Sequence, residues 1–309
     1  MKKRIRIGTR DSQLAVWQAT LVQQLLKQNG HDSELIYIKS EGDIDLQTPL
    51  YELGVQGIFT RSLDTALLQN RIDLAVHSMK DVPTKLAIGI TPAAILKRAS
   101  YKDLLVYKED PSFLNDRNAE GIIATSSVRR RAQWLHRYPG FVIENLRGNV
   151  NTRLRKLEES NWSGAIFAAA GLERIDLRPE SSVELDWMLP APSQGAIIIV
   201  CRKEDDACRQ ACLPLNDADT ALCTTIEKDF LRTLMGGCST PVSALAEISQ
   251  GKVVVRGNIC SLDGSALVEV EKIYTLEEAA DAGASAAFEL LENGGAAIAE
   301  KIRNQGVAQ

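Results

Sequence analysis

The 309 residues carry 36 Lys and Arg against 40 Asp and Glu, a net charge of −4, with 45% hydrophobic and 5% aromatic residues. That length and apolar share is enough for two or three compact cores, whereas the acidic balance and scarce aromatics argue against a nucleic-acid binder built on a basic surface or stacking platforms. No apolar run reaches membrane-spanning length, and the run after Met1-Lys2-Lys3-Arg4 is too short for a signal-peptide core, so a cytoplasmic protein is expected.

In chain order, Arg4-Ile5-Arg6-Ile7 alternates as a strand does. Gly8-Thr9-Arg10-Asp11-Ser12 then turns into a helix whose Leu14, Trp17, Leu21 and Leu25 keep helical spacing until Gly30, with Asp11 or Ser12 as its cap. A strand at 35–38 leads into 40–57, a polar, Gly-punctuated stretch expected to act as a lid. A helix over 58–69 delivers the chain to a strand at 72–77, and this β-α-β-α-β order implies a parallel sheet with right-handed crossovers.

That third strand ends in Val76-His77-Ser78-Met79-Lys80-Asp81-Val82-Pro83. Pro83 cannot donate to a ladder and holds Val82 extended, so Lys80 and Asp81 emerge at the carboxyl end of the sheet, where open α/β sheets bind ligands. The apolar pattern breaks over 97–102, a domain crossing. Strands follow at 104–106, 121–124, 141–146 and 165–170, with helices at 128–138 and 150–159. Pro190 and Pro192 mark a rigid link to an apolar strand at 196–200, placed to close back into the first sheet and make a hinged cleft. From 217 the elements group differently: one long helix to 234, a loop Met235-Gly236-Gly237-Cys238-Ser239-Thr240-Pro241, strands at 243–248, 252–259 and 266–273, and a helix over 276–292. The expected units are 1–97 with 196–216, 98–195, and an α+β unit 217–309.

Two successive strand-to-helix turns carry arginines: Arg129, Arg130 and Arg131 after Thr125-Ser126-Ser127, and Arg147, Arg153 and Arg155 around Gly148-Asn149. Helix N-termini offer unpaired N–H groups to anions, and guanidinium forks match carboxylates, so the pair of turns predicts one anion-binding wall. The alternative is a solvated basic helix face. Asp81 facing that wall suits a cationic substrate centre or a proton transfer, which points to a substrate with several carboxylates and one amine.

Cys238, between two glycines and Ser-Thr-Pro, fits either a covalent role or an inert loop thiol. The other cysteines (Cys201, Cys208, Cys212, Cys223 and Cys260) lie in apolar patterns and read as packing residues. His31, His77 and His136 lack metal-ligand spacing.

Gly8-Thr9-Arg10 with Ser12, Val76 to Pro83, Thr125-Ser126-Ser127-x-Arg129-Arg130, Leu146-Arg147-Gly148-Asn149 with Thr152-Arg153, and Gly236-Gly237-Cys238 together resemble the porphobilinogen deaminase (hydroxymethylbilane synthase) family over nearly the whole chain. The resemblance implies two type II periplasmic-binding-protein-like domains around a hinged cleft and a small C-terminal α+β domain. It implies a transferase of tetrapyrrole (haem) biosynthesis. Four porphobilinogen molecules would be joined head to tail with loss of ammonia, and hydroxymethylbilane released by hydrolysis. A dipyrromethane cofactor would sit on Cys238 through a thioether, contacted by Lys80, Thr125, Ser126, Ser127, Arg129, Arg130 and Gly148. Asp81 would be the catalytic carboxylate, and Arg10, Ser12, Phe59, Arg147, Arg153 and Arg174 would bind substrate. No metal is implied, and the family implies a monomer.

The chain departs from the family pattern at Glu52 and Gln56, where basic residues are usual, at Met235 for a usual glutamate, and at Ser193 for a usual glycine. A solute-binding protein using the same cleft without chemistry is the rival reading. The absence of a signal-like segment, together with Asp81 and Cys238, opposes it.

Overall fold

The structure, a computed structural model, describes residues 4–39, 60–234 and 240–307. The expected lid at 40–57, Phe59 and Cys238 lie outside the described residues. The first sheet is built from β1 (Ile5–Thr9), β2 (Ser33–Tyr37), β3 (Leu74–Ser78), β4 (Ile90–Ile95) and β10 (Ile197–Arg202), in the order β2-β1-β3-β10-β4. Helix α1 (Gln13–Gln28) joins β1 to β2, and α2 (Arg61–Leu68) precedes β3. Ser12 proves to be the α1 cap, accepting from the Ala15 N–H. β1, β2 and β3 are parallel, but β10 enters antiparallel between β3 and β4. The sheet is therefore mixed, because the chain returns from a second lobe before completing the first.

The second sheet repeats the plan. It contains β5 (Asp103–Tyr107), β6 (Gly121–Ala124), β7 (Phe141–Glu144), β8 (Gly164–Ala168) and β9 (Ser182–Glu184), in the order β7-β6-β8-β5-β9, with β5 antiparallel to β8. α3 (Val128–Arg137) follows β6, α4 (Val150–Glu159) follows β7, and the short α5 (Ala169–Glu173) follows β8. The shared order, with one reversed strand second from the edge, makes both lobes type II periplasmic-binding-protein-like. Each sheet is apolar on both faces. Ile7, Val76, Ile197 and Ile199 pack with α1 on one side, while Ala75, Ile198 and Val200 pack with α2 on the other. Strands covered twice become continuous apolar runs, as in Ile197-Ile198-Ile199-Val200-Cys201. In the second lobe Trp134, Tyr138, Phe141 and Trp187 form an aromatic cluster with ring centroids 5.0–6.0 Å apart.

After α6 (Asp206–Cys212), α7 (Ala218–Thr233) leads to β11 (Val242–Ser249), β12 (Lys252–Cys260) and β13 (Leu267–Thr275), an antiparallel sheet. α8 (Ala282–Leu290) and α9 (Ala296–Val307) complete the chain. The helix expected near 276–292 corresponds to α8, which begins later, at Ala282; α9 is a further helix, set off from it by a left-handed Gly294 at φ +106°.

Two crossings join the lobes, and they pass each other closely. A Cβ on Gly195 (φ +86°) would lie 2.6 Å from the Ser100 carbonyl oxygen and 2.7 Å from that of Ala99, so only glycine fits. Fully buried Glu227 on α7 binds both crossings and the C-terminal sheet at once. It takes Arg98 Nη1 and Nη2 at 2.7 Å each, Ser193 N at 2.6 Å and Ala246 N at 2.8 Å. No helix among the described residues is long and apolar enough to cross a membrane.

Candidate functional site

Four strand ends meet between the lobes. From the first sheet, β1 gives Thr9 to Ser12, and β3 runs into a single 3-10 turn, Met79–Asp81, that presents Lys80 and Asp81. Pro83 follows directly, and Val82 is extended (ψ 132°), the conformation its position before a proline imposes. Gln18 on α1 donates to Ser78 Oγ at 2.9 Å, holding the start of this turn.

From the second sheet come the two arginine-bearing turns, which are bound to each other: Thr125 N donates to Glu144 O at 2.8 Å, and Ser126 Oγ donates to Leu146 O. Ser127 and Asn149 cap α3 and α4, accepting from Arg130 N and Thr152 N. Gly148 adopts φ +113°, where a side chain would also collide with Thr152 at 2.7 Å. Its carbonyl takes Arg153 Nε at 2.7 Å, aiming that guanidinium. The helix starts of the two lobes touch, with Asn151 Nδ2 donating to Gln13 Oε1 at 3.0 Å.

The arginines are not a solvated face. Arg129, Arg130 and Arg147 are each 4–5% exposed. Only Arg131 and Arg155 point outward, so those two do not join the wall. Burial, with repulsion from Arg130 and Arg147, pulls Arg153 down to about 10, against the opposite pull of Asp81 across the cleft. Burial likewise pulls Lys80 down to about 8, with Arg130 and Arg129 assisting and Asp81 and Asp103 opposing. Lys80 is linked through Gln194 to Asp103, which binds Arg129 and Arg130, and the charge of Asp81 acts on both Lys80 and Arg153.

Arg10 lies at the β1 side, close enough to His77 to add to the burial that drives that imidazole down to about 3 and keeps it neutral. Arg174 donates from Nη2 to Gly195 O at 2.6 Å and stands 5.9 Å over the Trp17 ring of the first lobe. Burial pulls it down to about 10.

Two partners escaped the sequence reading. Asp103, fully buried at the start of β5, binds both Arg129 and Arg130, and Gln194 joins it to Lys80. A charged residue opening the apolar run Leu104-Leu105-Val106 was the available signal for Asp103, and only the fold tells which cations it meets.

The charge balance can be tested against the expected cofactor. Among the described residues, the buried or half-buried cations Arg129, Arg130, Arg153 and Lys80 outnumber the carboxylates acting on them, Asp81 and Asp103, and Arg129 Nε is buried without a hydrogen-bond partner. This excess of oriented donors fits a group bearing several carboxylates. Among the described residues no group of three or more His, Cys, Asp or Glu could hold a metal ion. The free cysteines Cys201, Cys208, Cys212, Cys223 and Cys260 are all buried. Burial raises the thiols of Cys208, Cys212, Cys223 and Cys260.

Among solved structures, the chain is similar to the methionine-binding protein MetQ (14% identity, 70% of this chain, 91% of that chain, TM-score 0.44). It is also similar to a periplasmic substrate-binding protein of an ABC transporter from Coxiella burnetii (16% identity, 70% and 94%, TM-score 0.43). Likeness at that level says nothing about what this chain binds. In sequence it is 41% identical over 294 residues to the porphobilinogen deaminase of Syntrophotalea carbinolica, covering 94% of this chain and 93% of that protein. The family profile for the porphobilinogen deaminase dipyromethane cofactor binding domain matches residues 5–210, and that for the porphobilinogen deaminase C-terminal domain matches residues 221–292. With the cofactor-binding profile spanning both lobes of the cleft and the C-terminal profile the unit beyond it, this chain belongs to the porphobilinogen deaminase family.

Proposed function

We propose that this chain condenses four porphobilinogen molecules on a dipyrromethane held by Cys238, with loss of one ammonia each, and then releases hydroxymethylbilane by hydrolysis. The observation that carries this reading is the pairing, across one cleft, of the Lys80–Asp81 turn with a wall of buried arginines. In this reading Arg129, Arg130, Lys80, Thr125, Ser126, Ser127 and Gly148 hold the cofactor, which when bound supplies the terminal pyrrole to which substrate is joined.

Arg10, Ser12, Arg147, Arg153, Arg174 and Phe59 bind the incoming substrate. The guanidiniums of Arg10, Arg147, Arg153 and Arg174 neutralise its acetate and propionate groups where water is excluded. Asp81 sits beside the substrate's aminomethyl group. Its carboxylate holds the leaving ammonium, then stabilises the cationic carbon left as ammonia departs. Because the wall neutralises the carboxylates, that positive charge faces Asp81 as its nearest acid.

The proposal extends to organisation. Residues 1–97 with 196–216 form one unit, 98–195 the second and 217–309 the third, working as a cytoplasmic monomer. The test is the intact mass of the denatured protein before and after incubation with porphobilinogen, beside Cys238→Ser. A mass excess of one dipyrromethane on the parent and none on the variant is expected. A parent that stays unmodified with porphobilinogen present, and releases no bilane, would refute the reading.

A further inference from the structure

The wall and the Lys80 turn share a buried carboxylate to which none of the proposed roles is assigned. Asp103 Oδ1 accepts from Arg130 Nε at 3.0 Å, Arg130 Nη2 at 2.6 Å and Gln194 Nε2 at 2.9 Å, and Oδ2 lies 2.8 Å from Arg129 Nη2. Gln194 Nε2 donates also to Tyr101 O at 2.8 Å, while its Oε1 accepts from Lys80 Nζ at 3.2 Å. The amide has one permitted orientation. Turned over, its oxygen would face two acceptors and its NH2 group an ammonium.

We propose that Asp103, acting through Gln194, is a positioning residue that sets the Arg129–Arg130 pair and the Lys80 ammonium in one register across the cleft. This rests on the cofactor-binding role proposed above for those three cations. Two adjacent guanidiniums repel, and a carboxylate lying between them is what lets both stay buried. Asp103 cannot itself meet substrate, since it is fully buried, with Oδ1 taken by Arg130 and Gln194 and Oδ2 ion-paired to Arg129. It does decide which donors remain. Arg130 spends Nε and one Nη2 proton on Asp103 and one Nη1 proton on the Ile166 carbonyl, so its guanidinium plane is fixed and one N–H of each terminal nitrogen has no partner among the described residues.

The relay also spans three chain segments: Lys80 on the first sheet's edge, Gln194 on the returning crossing, and Asp103 opening a strand of the second sheet. Movement of one lobe against the other therefore passes through it. The charged groups acting on Lys80 are Arg130, Arg129, Asp81 and Asp103, so loss of Asp103 or of the Gln194 acceptor disfavours the ammonium.

Two variants test this. Asp103→Asn keeps shape and removes charge, whereas Gln194→Met leaves the arginine contacts and cuts the link to Lys80. Each is incubated with porphobilinogen and weighed intact to follow cofactor assembly. Turnover of the loaded enzyme is then measured across pH, with thermal unfolding alongside. Asp103→Asn is expected to assemble cofactor at least about tenfold more slowly than the parent. Gln194→Met is expected to load and to unfold cooperatively, with the alkaline limb of kcat moved to lower pH by roughly half a unit or more and KM changed less than about threefold. A folded Gln194→Met with an unmoved limb, or an Asp103→Asn that assembles at the parent rate, overturns the proposal. If Asp103→Asn does not fold, the Gln194→Met limb decides. A parent that neither gains mass nor turns over overturns the underlying function instead.

Discussion

Glu227 offers the sharpest test of how the three sheets are joined. Each of its oxygens accepts from two donors: Oε1 from Arg98 Nη1 and Ala246 N, Oε2 from Arg98 Nη2 and Ser193 N. Glu227→Gln is nearly isosteric, yet whichever way its amide turns, the NH2 group meets two donors. Two hydrogen bonds are lost, and Arg98 is left without its buried counter-charge. Breaking a buried ion pair by removing one partner costs about 3–5 kcal/mol. For a chain this long the melting temperature moves by about 2 °C per kcal/mol, so a fall of roughly 6–10 °C is expected by calorimetry. Early melting of residues 217–307 as a separate transition is an acceptable form of the same loss, because the contact ties that unit to both crossings. A Glu227→Gln protein within about 1 kcal/mol of the parent would refute the reasoning, since no buried carboxylate with four protein donors should be exchangeable at that level.

Ser193 stands at φ +65° with its hydroxyl buried and unpartnered, so Ser193→Gly should stabilise by about 1 kcal/mol after the entropic cost of glycine; a lower urea midpoint would show that the strain is absent. Asp81→Ala should leave the urea midpoint nearly unchanged and cut turnover by roughly 100-fold or more, because the half-buried carboxylate makes a chemical rather than a packing contribution; near-normal turnover would remove Asp81 from the mechanism. Lys80, pulled down to about 8 from an ordinary 10.5, should lose its charge on the alkaline side, so turnover falls as pH rises through about 8. Between those two values the unfolded chain holds more protons than the folded one, so the contribution of this group to stability rises with pH in the same window. Thermal unfolding and kcat measured in one buffer series should thus diverge, and a parallel decline would contradict the assignment.

What the sequence determined by itself is local. Helical spacing from Leu14 to Leu25 and the polar residues before it defined α1 and narrowed its cap to Asp11 or Ser12, and turn chemistry at Thr125-Ser126-Ser127 and Gly148-Asn149 marked both arginine-bearing helix starts. These features are written within a few residues of where they act, so periodicity and capping rules can read them. Some elements escaped: β4 is interrupted by Pro92, the three-residue β9 and the five-residue α5 carry too little periodicity, and the antiparallel entry of β10 depends on a strand more than one hundred residues away in the chain. The tertiary structure alone decided which of six arginines at the two turns are buried, and it alone paired Asp103 with Arg129 and Arg130, Gln194 with Lys80, and Glu227 with Arg98. Charge type is visible in a sequence, but the partner of a buried charge is set by which strand ends converge, and that follows from the packing of the whole chain.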